Sequence, residues 1–334
     1  MTARFAIIGC GRIAKRHAEQ ISKVGELAAV CDIVYNYAAE LGKAYHANVY
    51  TSIEDLLENE PAVDIVSICT PNGLHAAHAI QALRAHKHVL CEKPLAIRSA
   101  DAKKMIAAAN KFGKKLFVVK QNRYNPPVEA VKNLLKEDKL GKIFFFQINC
   151  FWNRPGAYYS SPWKGTKDMD GGTLYTQFSH FIDLLFWLLG DVKEVKAISR
   201  NFEHPTIEID DSGVVLIETL GGAIGTLNYT VNSYQKNMEG SFTLFGQKGT
   251  VKIGGQYLNA LEYQCIEDME LADLPAGKPA NAYGFYQGSM SNHDKVYENL
   301  LKALEEPGYE FASALDGLKT VEIIEKIYAQ SPIK

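Results

Sequence analysis

The chain has 334 residues, 47% hydrophobic and 22% charged, enough to bury two cores, and its 36 lysines and arginines against 38 acids leave a net charge of −2. With no basic stripe and no apolar stretch near the ~20 residues that span a bilayer, the sequence argues against nucleic acid and membrane as partners. Six cysteines at 10, 31, 69, 91, 150 and 265 show no C-x-x-C spacing and read as small apolar fillers in a reducing, cytoplasmic compartment.

In chain order, Phe5-Ala6-Ile7-Ile8 comes first, a short apolar run without alternation, as a parallel strand covered on both faces requires. Gly9-Cys10-Gly11 then lets the backbone turn sharply and approach a pyrophosphate, and Ala14 lets the following helix sit against the strand. The N-terminus of that helix faces the phosphates. Asp32 closes the next apolar run, Leu27 to Cys31, where a carboxylate accepts both ribose hydroxyls and repels a 2′-phosphate. No arginine follows it, so the expected cofactor is NAD rather than NADP.

Strand and helix continue to alternate: helices near 35–45, 52–59, 73–86 and 99–112, and strands at 47–50, 64–69, 88–92 and 115–119. Six strands with intervening helices predict a doubly wound parallel sheet, an α/β Rossmann domain over residues 1–122. The character changes near 121–127. A helix at 126–137 is followed by strands at 144–152, 192–198, 213–218, 223–229 and 241–246, with a helix at 174–189 and late helices near 291–305 and 312–329. Residues 123–334 are thus expected to form an α+β domain with an open, mostly antiparallel sheet.

Two segments carry chemistry. Cys91-Glu92-Lys93-Pro94-Leu95 falls at the carboxyl end of the fifth strand, the edge where cofactor and substrate bind in doubly wound sheets. There Lys93 can donate to a substrate hydroxyl and stabilise alkoxide-like charge; with an ordinary pKa near ~10.4 its role is electrostatic unless burial depresses it. Helical spacing after Gly171-Gly172 places Thr176, His180 and Asp183 along one face, and an imidazole there can take a carbinol proton as hydride leaves. His75 and His78 have ligand-like spacing but no third ligand, so no metal is expected. His293 opens a late helix, where capping and contact with a substrate phosphate both stay open.

Together, Gly9-Cys10-Gly11, Glu92-Lys93-Pro94 and Gly171-Gly172…Thr176…His180…Asp183 resemble the family of glucose–fructose oxidoreductase and inositol dehydrogenase, Gfo/Idh/MocA. They match its E-K-P motif and its G-G…D-x-x-x-H-x-x-D helix, with Thr176 in the usual aspartate position. The resemblance implies a second domain whose open sheet often mediates homo-oligomers, dimers or tetramers, and it implies that Lys93 and His180 are catalytic. It suggests a cis Lys93–Pro94 bond, which the ordinary frequency of X–Pro bonds does not.

A narrower resemblance, in Val118 to Pro127 and in Ala157-Tyr158-Tyr159…Trp163-Lys164-Gly165-Thr166…Asp170-Gly171-Gly172…Gln177…Ser179-His180, is to the bacterial UDP-N-acetylglucosaminuronate 3-dehydrogenases of surface-polysaccharide synthesis, including lipopolysaccharide O-antigen sugars. For such a nucleotide-sugar substrate, Arg123, Arg154, Lys164 and Lys167 offer charge-assisted donors, with Arg154 and Lys164 preferred, and Tyr158, Tyr159 and Trp163 offer rings. Tyr124, Thr176 and Gln177 join the substrate side with Lys93 and His180. On the cofactor side, Gly9, Gly11, Arg12, Ile13 and Asp32 hold the adenosine and pyrophosphate, and Thr70, Asn72, His75, Glu92, Lys93 and Gln121 approach the nicotinamide. By resemblance, 2-oxoglutarate can reoxidise the bound cofactor. Dehydrogenases of free sugars or inositol, and NAD-dependent glycosidases of the same fold, share these motifs.

Overall fold

The computed structural model describes residues 2–332 except 273, 276, 283, 285 and 310, and the side chain of 282. The chain divides into two compact units, residues 1–119 with 293–321, and residues 120–292 with 322–334.

In the first unit, β1 (Arg4–Ile8), α1 (Arg12–Val24), β2 (Glu26–Cys31), α2 (Tyr35–Tyr45), β3 (Asn48–Tyr50), α3 (Ile53–Asn59), β4 (Ile65–Ile68), α4 (His75–Arg84), β5 (His88–Cys91), α5 (Ser99–Phe112) and β6 (Leu116–Val118) follow in order. The six strands pair in parallel in the order β3-β2-β1-β4-β5-β6. Phe5 to Ile8 and Ile65 to Ile68 are buried throughout, which is why these strands read as apolar runs instead of alternating. The chain runs outward from β1 to β3, then returns to β4 on the other side of β1. The switch point therefore falls between the carboxyl ends of β1 and β4.

The second unit continues with α6 (Pro126–Lys136), opened by a proline pair at its first turn, β7 (Ile143–Phe151), the short α7 (Thr173–Thr176) and α8 (Ser179–Leu189). Next come β8 (Val192–Arg200), β9 (Ser212–Thr219), β10 (Ile224–Thr230), β11 (Glu239–Gly246), β12 (Gly249–Gly254), β13 (Ala260–Ile266), and the small pair β14 (Ala280–Ala282) and β15 (Gln287–Met290). The seven-stranded sheet runs β13-β12-β11-β7-β10-β9-β8, antiparallel except for the parallel pair β7 and β10. Phe146, Ile148, Cys150, Val215, Ile217 and Leu227 face its core, while the alternate positions lie open. α9 (His293–Glu305) and α10 (Ala314–Gln330) end the chain.

Two expectations change. The reading of 123–334 as one domain meets a chain that turns back: α9 and the first part of α10 pack with the nucleotide-type unit, because Val296, Tyr297 and Leu300 are buried there and Tyr297 stands edge-on to Phe5 at 5.6 Å. The expected helix over 174–189 is two helices. The Phe178 N–H reaches Thr173 O, an i→i+5 closure that widens the turn before α8 starts. All six cysteines are free, five of them buried. Among the described residues, no helix is long and apolar enough to cross a membrane.

Candidate active site

In the first unit the predicted cofactor residues gather at the carboxyl edge of the sheet. Gly9 has φ +92°, and a Cβ there would stand 2.7–2.8 Å from the Cys69 and Thr70 backbone, so only glycine lets β1 pass β4 this closely. Gly11 is different: a Cβ on it would meet nothing within 4 Å. It opens α1 with no side-chain cap and no acid in the first turn, which leaves room and a favourable dipole for a pyrophosphate beside Arg12 and Ile13. Asp32 is fixed by two backbone donors, Cys10 N–H to Oδ2 and Val34 N–H to Oδ1, both at 2.8 Å. Beside it Ile33 is 91% exposed, an apolar face suited to an adenine that sequence reading passed over. These features fit NAD.

Beyond β4, Thr70, Asn72 and His75 follow in sequence. The buried His75 ring spans two carbonyls, with Nδ1 2.7 Å from Pro94 O and Nε2 2.8 Å from Thr70 O. It therefore ties the loop after β4 to the turn after β5, and its burial lowers its pKa although the two carbonyls oppose the shift. His78 turns instead to Thr70 Oγ1 at 3.0 Å, so the two histidines do not converge on one point. Lys93 is half-buried, its peptide to Pro94 is cis, and its own N–H donates to Glu92 Oε2 at 3.1 Å.

In the second unit His180 opens α8 in a buried setting, with Nε2 3.3 Å from Gln121 Nε2 and 3.4 Å from Ser289 Oγ. With the Gln121 amide nitrogen turned toward it, His180 Nε2 is on the accepting side of this contact, while Gln121 Oε1 is buried with no partner among the described residues. Gln121 also donates to Ser289 Oγ at 3.0 Å, and Asn292 Nδ2 bonds Gln121 O and Asn125 Oδ1. Ser289 and Asn292 carry no sequence signal of this role, because they come from the far end of the unit.

The helix break spreads the three residues expected on one face. Thr176 Oγ1 donates to Asp170 Oδ1 at 2.5 Å, while Asp183 lies one turn past His180 between Lys120 Nζ (2.9 Å) and the Arg123 fork (2.7 and 2.8 Å). Burial would raise the Asp183 pKa, and the two cations outweigh it, bringing it to about 2. Arg123, expected to contact substrate, is instead committed to Asp183 and stacked on Trp187 at 5.1 Å. The preceding turn depends on Gly172, φ +136°, where a Cβ would stand 2.4 Å from the Tyr328 hydroxyl.

Arg154 is 2% exposed. Its Nε donates to Gln177 Oε1 (2.7 Å), its NH1 to Asn153 O (2.6 Å) and Asn237 Oδ1 (3.3 Å), and its guanidinium lies against Trp152, Tyr158 and Tyr286. Among the described residues no carboxylate pairs with it, and burial lowers its pKa. Gln177, expected on substrate, spends both ends of its amide here, on Arg154 and on the Tyr158 hydroxyl at 2.6 Å. Lys164 Nζ stands 3.5 Å over the Tyr158 ring, and Tyr159 packs edge-on to His204 at 4.9 Å. Tyr124 is half-buried in the turn with Gln121. Lys167 is exposed. An open cavity of about 650 Å³ reaches this cluster at Arg154 and leaves His180 and Gln121 outside its lining.

Comparison with known proteins decides the family. The model of the oxidoreductase family with an NAD-binding Rossmann fold, Gfo/Idh/MocA, matches residues 3–120, and that of the Gfo/Idh/MocA C-terminal domain matches residues 128–252. The chain belongs to this family. It is an NAD-dependent sugar or polyol dehydrogenase. The chain is similar to the WlbA dehydrogenase of Bordetella pertussis, whose structure is a complex with NADH and UDP-GlcNAcA, at 34% identity with a TM-score of 0.87, covering 99% of this chain and 96% of that one. The WlbA dehydrogenase of Chromobacterium violaceum, in the same type of complex, is 35% identical with a TM-score of 0.90, over 98% and 93%. Inositol 2-dehydrogenase of Salmonella paratyphi B is 30% identical over 260 residues, 76% of this chain and 74% of that one.

Proposed function

We propose that the protein oxidises carbon 3 of UDP-N-acetylglucosaminuronic acid to the 3-keto sugar, in the synthesis of a surface polysaccharide such as an O-antigen. The observation that carries this reading is the Arg154 guanidinium, buried among neutral acceptors with no carboxylate upon it among the described residues. A buried cation left unpaired is costly, and a substrate carboxylate supplies the missing charge. Inositol carries none. The similarity to WlbA over nearly the whole chain supports the same substrate class.

In this mechanism Gly9, Gly11, Arg12, Ile13 and Asp32 hold the adenosine and pyrophosphate of NAD, and Thr70, Asn72, Glu92 and Gln121 flank the nicotinamide, with His75 fixing the turns on either side. NAD supplies the hydride acceptor. Lys93 donates a hydrogen bond to the reacting hydroxyl and steadies the oxyanion, and His180 Nε2 takes its proton, with Gln121 and Ser289 setting the imidazole. Lys164, Tyr124 and Tyr159 contact the sugar or its diphosphate, and Thr176 and Gln177 act behind them through Asp170 and Arg154.

A second copy is proposed to cover the open face of the seven-stranded sheet, where Ile198, Val214, Leu216, Ile224 and Phe145 are exposed at neighbouring registers. The location is proposed as cytoplasmic.

The test follows reduced-nicotinamide absorbance on mixing protein and NAD with UDP-N-acetylglucosaminuronic acid, with UDP-N-acetylglucosamine, or with inositol, each with and without 2-oxoglutarate. Reduction with the acid alone is expected, and 2-oxoglutarate should drive repeated turnover. The 30% identity to an inositol 2-dehydrogenase supports the second reading, a free-polyol enzyme, and faster reduction by inositol would establish it instead.

A further inference from the structure

Glu92 lies between two histidines of the first unit. Its Oε1 is 2.8 Å from His17 Nε2 and 3.5 Å from His293 Nε2, and its Oε2 accepts the Lys93 N–H. The residue is 6% exposed, and among the described residues neither a lysine ammonium nor an arginine guanidinium pairs with it. On the far side of His17, Nδ1 is 2.7 Å from the Tyr297 hydroxyl, which is 2.9 Å from Ser67 Oγ. A carboxylate only accepts, so His17 carries its proton on Nε2, Tyr297 donates to Nδ1 and Ser67 donates to Tyr297. Every hydrogen in this buried chain points toward Glu92. Burial lowers the His17 pKa and keeps the ring neutral. Burial would also raise that of Glu92, but the donors at His17 and His293 hold it well below the usual carboxylate range.

We propose that this relay keeps Glu92 as a fixed buried anion that makes the site prefer oxidised, positively charged nicotinamide over the reduced, neutral ring. The inference rests on the reading above, in which the reacting carbon meets the nicotinamide at Lys93, the residue bonded to Glu92. An ionised carboxyl removed from water with no lysine or arginine of the described residues paired to it is costly, and a cationic ring nearby offsets that cost while a neutral one does not. Stabilising the oxidised form lowers the potential of the bound couple, so reduced cofactor passes its hydride more readily to a carbonyl acceptor. Tyr297 and His17 are positioning residues in this scheme, and the return of α9 is what brings Tyr297 and His293 to the nucleotide unit.

The experiment measures dissociation constants of NAD⁺ and NADH, without sugar, for the wild type, Glu92→Gln and Tyr297→Phe. The ratio of the NAD⁺ constant to the NADH constant is expected to rise about tenfold in Glu92→Gln, equivalent to about 1.4 kcal/mol, and about threefold in Tyr297→Phe. A merely structural role would weaken both ligands together and leave the ratio alone, which would overturn the proposal. So would a stoichiometric transition metal in the purified protein, since two imidazoles and a carboxylate are also metal ligands. Tyr297→Phe keeps its ring against Phe5 and His17 and carries the test if Glu92→Gln does not fold. Because no sugar is present, the outcome is independent of whether the substrate is the UDP-linked acid.

Discussion

The two glycines of the first turn make separable demands. At Gly9 any side chain collides with backbone and must adopt a strained φ, so Gly9→Ala is expected to cost about 1–3 kcal/mol of stability. At Gly11 the chain itself leaves space and φ is −73°, so Gly11→Ala should fold within about 0.5 kcal/mol of wild type while weakening NAD binding. Thermal unfolding paired with NADH titration separates them; equal loss of stability in both variants would contradict the assignment of Gly11 to the cofactor. For the chemistry, His180→Asn should lower kcat by about 10²–10⁴-fold with little change in NADH affinity. Turnover within tenfold of wild type would remove His180 as base. Positions that follow from backbone chemistry or motif, such as Gly9 in its tight turn, Asp32 just after β2 and Lys93 just after β5, were legible in the sequence. Those whose role is to hold another side chain were not: Arg123 reads as an anion binder until Asp183 is found on it, and nothing local marks Ser289 or Tyr297.

At the scale of elements, the first sheet was readable because parallel strands buried on both faces are near-continuous apolar runs, as at Phe5 to Ile8 and Ile65 to Ile68. β12 and β13 went unseen for the opposite reason: glycines bound the first, and the second, at the sheet edge, has its Glu262 and Tyr263 exposed and presents no apolar run. The break between α7 and α8 was hidden because its causes lie elsewhere, in Asp170 holding Thr176 and Arg154 holding Gln177. Asp183 anchors α8 against the turn that contains Lys120 and Arg123, so Asp183→Asn leaves two buried cations facing a neutral amide and should cost about 3–5 kcal/mol. The sign with pH follows from the depressed value. Its folded pKa of about 2 lies below the unfolded ~3.9, so the contribution is complete above about pH 4 and is lost as pH falls toward 2. Denaturant midpoints between pH 5 and pH 2.5 check this; an equally steep acid decline in Asp183→Asn would refute it.

For the whole molecule, the open sheet face sets the last expectation. Along β9 the side chains alternate, with Val215 and Ile217 buried and Val214 and Leu216 exposed, and the registers place Ile198 beside Val214, and Ile224 beside Phe145. Such alternation is ordinary for a sheet with one solvated face, but there the outward positions are polar. Here several neighbouring outward positions are large and apolar, flanked by the Asn149 and Asn228 amides that bond each other across β7 and β10 at 3.0 Å. A face of that composition left in water invites association, and the same face on a second chain is its simplest complement. Leu216→Glu places a charge in the middle of it without touching the buried side of β9. The variant is expected to run as a monomer in light scattering where the wild type runs as a dimer or tetramer, with its unfolding midpoint lowered only as far as loss of assembly requires. A wild type that is monomeric at micromolar concentration, or a variant that assembles unchanged, would show that this face is not the contact.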